Sequence, residues 1–142
     1  MKHFIQRTAW PVGAGILSAF VIMMAFEFAN SFFFPLPEGL QLSDKDAVAR
    51  FTQSLPWTAY ILVVLGWTFG SFKAGCVTTY LAHEQTYRLS RVVGGMLAGL
   101  SLLNAYMIGQ SWLFTITTLP IFIGGTYLGH RYLRSVHCAR GM

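Results

Sequence analysis

The sequence is poor in charged residues, which make up 11% of its 142 positions, against 54% hydrophobic and 15% aromatic residues. A soluble domain of this size needs more ionic surface than that, so the composition predicts one small integral membrane domain over 1–142. The net charge of +5 would point to nucleic acid in a soluble protein. Here the position of the charges relative to the apolar segments matters more, and we expect the lipid bilayer, not nucleic acid, as partner.

Cysteine is scarce as well. Cys76 and Cys138 have no partner at short spacing, so we expect no structural disulfide. A metal site that combines Cys138 with His83, His130 and His137 matches no known ligand spacing. We therefore expect neither a metal nor another cofactor.

Catalytic motifs are also missing from the polar segments. They contain no nucleophile and base pair, no metal-ligand spacing and no phosphate-binding loop. We therefore predict that the protein is not an enzyme. The alternative is a lipid-modifying enzyme whose site lies inside the membrane, with Glu27 as general acid or base.

What the sequence has is long apolar runs. About 20 apolar residues cross the ~30 Å hydrocarbon core of a bilayer as a helix. The predicted fold class is all-α, an integral membrane bundle of four transmembrane helices with a short interfacial helix in the outer loop. The predicted spans are about 10–34, 57–81, 92–108 and 112–132, and the outer loop is 35–55.

The outer loop begins at Pro35 and Pro37, which cannot continue a helix. Ser43 followed by Asp46 is typical of a capping box and predicts a helix start. Apolar residues recur at helical spacing over 47–55, as in a helix that lies along an interface. This segment either covers the end of the bundle or offers a docking surface.

Small residues recur at GxxxG spacing in the later spans. Such rows allow two helices to approach closely, so we predict that they form the helix contacts of the bundle. The predicted packing residues are Gly66, Gly70, Gly95, Gly99, Gly125 and Gly129.

The basic residues predict the orientation. Most of them flank one side of the predicted spans, from Lys2 and Arg7 to Arg88, Arg91 and Arg131. Because cytoplasmic flanks are enriched in Lys and Arg, both termini are predicted to be cytoplasmic. In a bacterium this membrane would be the inner, or cytoplasmic, membrane.

Glu27 is the one acid inside the first span. An ionised carboxylate in hydrocarbon is costly unless it is neutralised, hydrogen-bonded or open to water. Counting residues from the span ends puts Asn30, Asn104, Thr117 and Thr118 near the same depth. This polar cluster is either a hydrogen-bonded structural feature or a proton- or ligand-binding site open to the outer face.

Two resemblances follow from these features. Four short helices with an acid in the first resemble the small multidrug resistance transporters, which use such a residue for proton exchange. The chain also resembles a group of small bacterial four-span proteins, which implies a bacterial inner-membrane location without an activity. The second resemblance is carried by Glu27, Pro35–Gly39, Asp44, Ser54–Pro56, Asn104 and Trp112.

The function expected from the sequence is non-catalytic. Aromatic faces such as Phe32–Phe34 exceed what one small bundle can bury, which favours an accessory or stabilising subunit of a larger membrane assembly or a homo-oligomer. The alternative is a proton-coupled small transporter or a binder of lipophilic ligands that uses Glu27.

Overall fold

A computed structural model of the chain describes residues 8–41, 43–82, 87–108 and 111–140. Lys2 and Arg7, on which the orientation partly depends, lie outside these ranges, as do His83 and the turn at Gly109. The described part is all-α. Its helices are α1 (Trp10–Phe33), α2 (Lys45–Ser54), α3 (Trp57–Ala82), α4 (Arg88–Ile108) and α5 (Trp112–Arg140).

Among the described residues, three helices are long and apolar enough to cross a membrane, which indicates a membrane protein. They are α1, α3 and the part of α5 from Trp112 to Cys138. Helix α4, which corresponds to the predicted span 92–108, is not among these three helices. That helix begins at Arg88, four residues before the predicted span, and Arg91 and Asn104 interrupt its apolar character.

Helices α1 and α3 run antiparallel in close contact. A Cβ added to Gly66 would lie 2.8 Å from Phe26 Cβ, and one added to Gly70 would lie 3.1 Å from the carbonyl oxygen of Ala19. Toward the other end of the pair, Gly15 lies directly against Thr78. Glycine at these places lets the two backbones approach without a clash.

Helices α3 and α5 run parallel. Trp67 packs on Phe122 with ring centroids 5.4 Å apart, and the Ser71 hydroxyl donates a hydrogen bond of 3.3 Å to the carbonyl oxygen of Ile121. Further along both helices, Gly129 lies directly against the backbone of Phe72. The residue numbers of α3 and α5 rise in the same direction along this contact. The chain that leaves the end of α3 must therefore run back along the bundle before α5 begins, and α4 is the helix that does so.

The glycine through which α4 contacts α5 is Gly94, and not the predicted Gly95 or Gly99. Nothing lies within 4 Å of a Cβ built on Gly95 or Gly99, whereas one built on Gly94 would lie 3.2 Å from the Phe122 carbonyl oxygen. The inward face of α4 carries Val93, Gly94 and Leu97. Helical periodicity places Gly95 and Gly99 on a different face of α4. The GxxxG spacing therefore predicted the wrong glycines for the contacts of α4 within one chain.

The short helix α2 has a different cap from the predicted one. Asp44, not Ser43, is the N-cap, and its carboxylate accepts hydrogen bonds of 3.1 Å from the backbone N–H groups of Asp46 and Ala47. Asp44 has the extended backbone that an N-cap requires. At the other end, Leu55 is extended because Pro56 follows it.

A cavity between the helices at the loop end

A cavity of about 550 Å³ lies beside the loop that joins α1 to α3. We call this end of the bundle the loop end, and the opposite end, which carries the beginning of α1 and the end of α5, the terminal end. A cavity of this size holds a drug-sized molecule. Its walls are Phe20, Met23, Met24, Glu27 and Asn30 of α1, Thr52 and Leu55 at the end of α2, Ala59, Tyr60, Val63 and Trp67 of α3, Leu97, Leu100, Ser101, Leu103, Asn104 and Met107 of α4, and Phe122 of α5.

Helical periodicity explains why these residues share one space. On α1, Phe20, Met23, Glu27 and Asn30 follow each other at steps of three or four, and Met24 lies next to Met23. On α3, Ala59, Val63 and Trp67 do the same, and Tyr60 lies next to Ala59. Residues at such steps lie on one face of a helix. Helices α1, α3 and α4 thus each contribute one continuous stripe of side chains to the cavity wall.

The cavity has a buried floor and an exposed mouth. Trp67 and Phe122 at the floor are only 7% and 2% exposed. The exposed wall residues come from α1 and α4, and they include Met24, Glu27 and Asn104. The cavity therefore opens sideways between α1 and α4, and a molecule could enter along the membrane plane.

Glu27 lies at this mouth without a protein partner. In the part of the chain that the structure describes, its carboxylate makes no hydrogen bond or ion pair, and no Lys, Arg or His lines the cavity. Lys73 is far away, since its neighbour Ala74 packs on Gly15, twelve residues or roughly 18 Å along α1 from Glu27. Among the described residues, the cavity therefore carries one acid and no balancing base.

Other polar groups of the cavity wall also lack partners. The Asn30 Oδ1 and Ser101 Oγ atoms are buried and accept or donate no hydrogen bond among the described residues. Asn104 makes none either within those ranges. The structure thus brings Glu27, Asn30 and Asn104 to one cavity but does not link them by hydrogen bonds, which a purely structural cluster would require.

Two of the predicted site residues lie elsewhere. The Thr117 hydroxyl donates to the carbonyl oxygens of Leu113 and Phe114, and the buried Thr118 hydroxyl donates to those of Phe114 and Thr115, all at 2.9 Å. Neither threonine lines the cavity. Both sit in the turns before Pro120, which interrupts the hydrogen bonding of α5.

Tyr60, Trp67 and Ser101 belong to the site but were not predicted from the sequence. Ser101 lies three residues before Asn104 on one helix face, and this spacing could have identified it. Tyr60 and Trp67 could not be distinguished in the sequence from the many other aromatic residues. The Tyr60 hydroxyl also donates a hydrogen bond of 2.6 Å to the Thr52 carbonyl oxygen, which ties α2 to α3 at the rim.

The terminal end carries a second, separate polar cluster. Thr79 Oγ1 lies 3.0 Å from Ser90 Oγ and 2.9 Å from His130 Nδ1, and all three residues are buried. Beside them, the Tyr87 hydroxyl lies 2.9 Å from Thr126 Oγ1. These hydrogen bonds join α3, α4 and α5. Among the described residues, no three His, Cys, Asp or Glu side chains are arranged to hold a metal ion.

No known protein family, curated protein or solved structure matches the chain.

Proposed function

We propose that the protein binds a lipophilic molecule with a cationic head in the cavity at the loop end, and that Glu27 exchanges a proton for this cation. The observation that carries the proposal is a space of about 550 Å³ whose only acid has no partner among the described residues. Polar groups inside a membrane protein are normally paired. Unpaired groups around a space of this size favour a ligand that pairs with them.

The distribution of polarity supports an amphiphilic ligand. The acid and two amides lie toward the mouth, whereas Met23, Trp67 and Phe122 form an apolar floor. A cationic head would lie beside Glu27, and its apolar part would reach the floor. Because the mouth opens between α1 and α4, the ligand would enter from the bilayer.

Charge explains why a proton should take part. A carboxylate in hydrocarbon is costly unless a cation compensates its charge. When the cationic head arrives, the carboxyl can release its proton, and when the head leaves, the carboxyl can take a proton up. This exchange needs one acidic group, and among the described residues Glu27 is the single acid of the cavity wall.

The proposal includes four crossings of the membrane. The parallel contacts of α3 and α5, such as Trp67 with Phe122, support a crossing by α4, because two parallel spans need a return between them. Arg88, Arg91, Arg131 and Arg134 flank the terminal end and are exposed. By the positive-inside rule this end would face the cytoplasm of a bacterial inner membrane, and the cavity would lie in the outer leaflet.

The test is proton release by the purified protein in a weakly buffered detergent solution. Addition of dodecylammonium to the wild type is expected to release up to about one proton per bound ligand, and Glu27→Gln should release none. Gln keeps the shape of Glu and can still hydrogen-bond, so the fold should be retained.

Glu38→Gln is the matched control, because Glu38 is an exposed acid in the loop outside the cavity. It should behave as the wild type. Equal proton release by Glu27→Gln and the wild type would refute the exchange.

A second candidate is an accessory or stabilising subunit of a larger membrane assembly. It is supported by one face of α1, on which Phe28 and Phe32 are 76% and 78% exposed. Lipid or another membrane protein would cover these rings. Purification in a mild detergent followed by mass spectrometry of co-purifying proteins tests this role, and recovery of the chain alone would count against it.

A further inference from the structure

We infer that the ligand carries a primary ammonium group, with free N–H donors, in preference to a quaternary ammonium group. This inference rests on the proposed function, since it names the head group that the cavity would accept. It follows from which polar atoms surround Glu27 and from where the aromatic rings lie.

The unpaired groups near the mouth are rich in acceptors. They are the two carboxylate oxygens of Glu27 and the amide oxygens of Asn30 and Asn104, and the hydroxyl of Ser101 lies on the same wall. Whichever way an Asn amide is turned, it keeps one carbonyl oxygen that accepts hydrogen bonds. A primary ammonium has three donors and no acceptor, which matches a carboxylate flanked by two amides.

A quaternary ammonium would fit this head-group region poorly. Proteins bind such groups in cages of aromatic rings, which attract the charge without hydrogen bonds. Of the four aromatic residues on the described wall, Trp67 and Phe122 are almost fully buried and pack on each other at 5.4 Å. Phe20 lies seven residues, or roughly 10 Å, along α1 from Glu27, and the Tyr60 hydroxyl is bonded to the Thr52 carbonyl oxygen. The wall residues within one helical turn of Glu27 on α1 are Met23, Met24 and Asn30, so the described residues build no aromatic cage there, and a quaternary head would leave the amide oxygens without donors.

Two sources could supply the same chemistry. One is an aminophospholipid, whose ethanolamine head ends in a primary ammonium, and the other is a free lipophilic amine. Both would place the ammonium beside Glu27 and the hydrocarbon on the floor. The sideways mouth between α1 and α4 admits either from the bilayer.

The experiment compares two probes with the same tail and the same charge. The full-length protein is placed in nanodiscs of phosphatidylcholine, which has no primary amine, and is titrated with dodecylammonium and with dodecyltrimethylammonium. Only binding that Glu27→Gln abolishes is counted, since this removes partition into the lipid. Dodecylammonium is expected to bind at least about tenfold more tightly, because hydrogen bonds to a charged group are lost in the trimethyl compound.

Asn30→Ala and Asn104→Ala sharpen the comparison. Each should reduce the preference for dodecylammonium and leave the affinity for dodecyltrimethylammonium unchanged. If both probes show equal Glu27-dependent binding, the inference is wrong and the proposed function stands. If neither probe shows Glu27-dependent binding, the proposed function fails as well.

Native mass spectrometry distinguishes the sources. The wild type and Glu27→Gln are purified from membranes that contain phosphatidylethanolamine. Retention of this lipid by the wild type alone would identify an aminophospholipid. Tight binding of dodecylammonium without such retention would identify a free lipophilic amine.

Discussion

The two ends of the bundle use polar residues in opposite ways. At the terminal end, Thr79, Ser90 and His130 form buried hydrogen bonds between three helices. At the loop end, Glu27 and the buried Ser101 hydroxyl border an open space without protein partners among the described residues. The first cluster therefore holds the helices together, whereas the second borders a space that protein side chains leave open.

Helix packing follows the same division. Toward the terminal end, Gly75 and Gly129 lie directly against the backbones of Thr126 and Phe72. Toward the loop end, the large side chains of Tyr60, Trp67 and Phe114 take the place of glycine at the α3 and α5 contact. Large side chains at a helix contact keep the two backbones further apart than glycine does, and the cavity lies at this end of the bundle. Thr78 is an exception at the terminal end, since its Oγ1 atom is buried without a partner, but it lies against Gly15 where no space remains.

The largest expected effect is on the close contacts of the terminal end. Gly75→Ala and Gly129→Ala would push a Cβ into a neighbouring backbone, which cannot yield as a flexible side chain does. Each should destabilise the protein by about 3 kcal/mol or more, or prevent folding. Unfolding in mixed micelles with increasing denaturing detergent measures this.

Gly95→Ala and Gly99→Ala are the matched controls, because nothing lies within 4 Å of the added Cβ. They should be tolerated within about 0.5 kcal/mol in the monomer. Equal damage by both sets would contradict the description of which helix faces are in contact.

An intermediate effect is expected from single hydroxyl groups at the two ends. Thr79→Val keeps the shape of the side chain but leaves Ser90 and His130 Nδ1 without this partner, which should cost about 1–3 kcal/mol. Ser101→Ala removes a hydroxyl that has no partner within the described ranges, so it should change the free energy of unfolding by less than about 0.5 kcal/mol. The same unfolding assay compares them. A larger loss for Ser101→Ala would show that the loop-end polar groups are structural.

The smallest effect is expected at the rim of the cavity. Tyr60→Phe removes the hydrogen bond to the Thr52 carbonyl oxygen and should cost about 0.5–1.5 kcal/mol. Because this bond ties α2 to α3, trypsin should cut faster after the exposed Arg50. Tyr132→Phe, on an exposed face of α5, is the control and should not change the cutting rate. Unchanged cleavage of Tyr60→Phe would mean that the bond does not hold α2 in place.

Several features were predictable because they depend on one helix at a time. The lengths of α1 and α3 follow from their apolar runs, and counting residues puts Glu27, Asn30 and Asn104 near one depth. The depth of a residue in the membrane does not show toward which neighbouring helix its side chain points. Thr117 and Thr118 are at a similar depth, yet their hydroxyls bond to their own helix.

Features that depend on two helices could not be read from the sequence. Gly94 and Gly95 differ by one position, and only the packing of α4 on α5 decides which of them is in contact. The hydrogen bond between Thr79 and His130 joins residues 51 positions apart in the sequence and requires the parallel arrangement of α3 and α5. No spacing rule within one helix contains that information.

Photo-crosslinking of a long-chain primary amine that carries a diazirine at the end of its tail tests directly whether the cavity binds the ligand. We expect crosslinks on the floor and walls of the cavity, at residues such as Met23, Trp67 and Leu97, that excess dodecylammonium prevents and that Glu27→Gln abolishes. Glu38→Gln should leave them unchanged. Crosslinks concentrated at the terminal end, or a cavity pattern that persists in Glu27→Gln, would contradict the account.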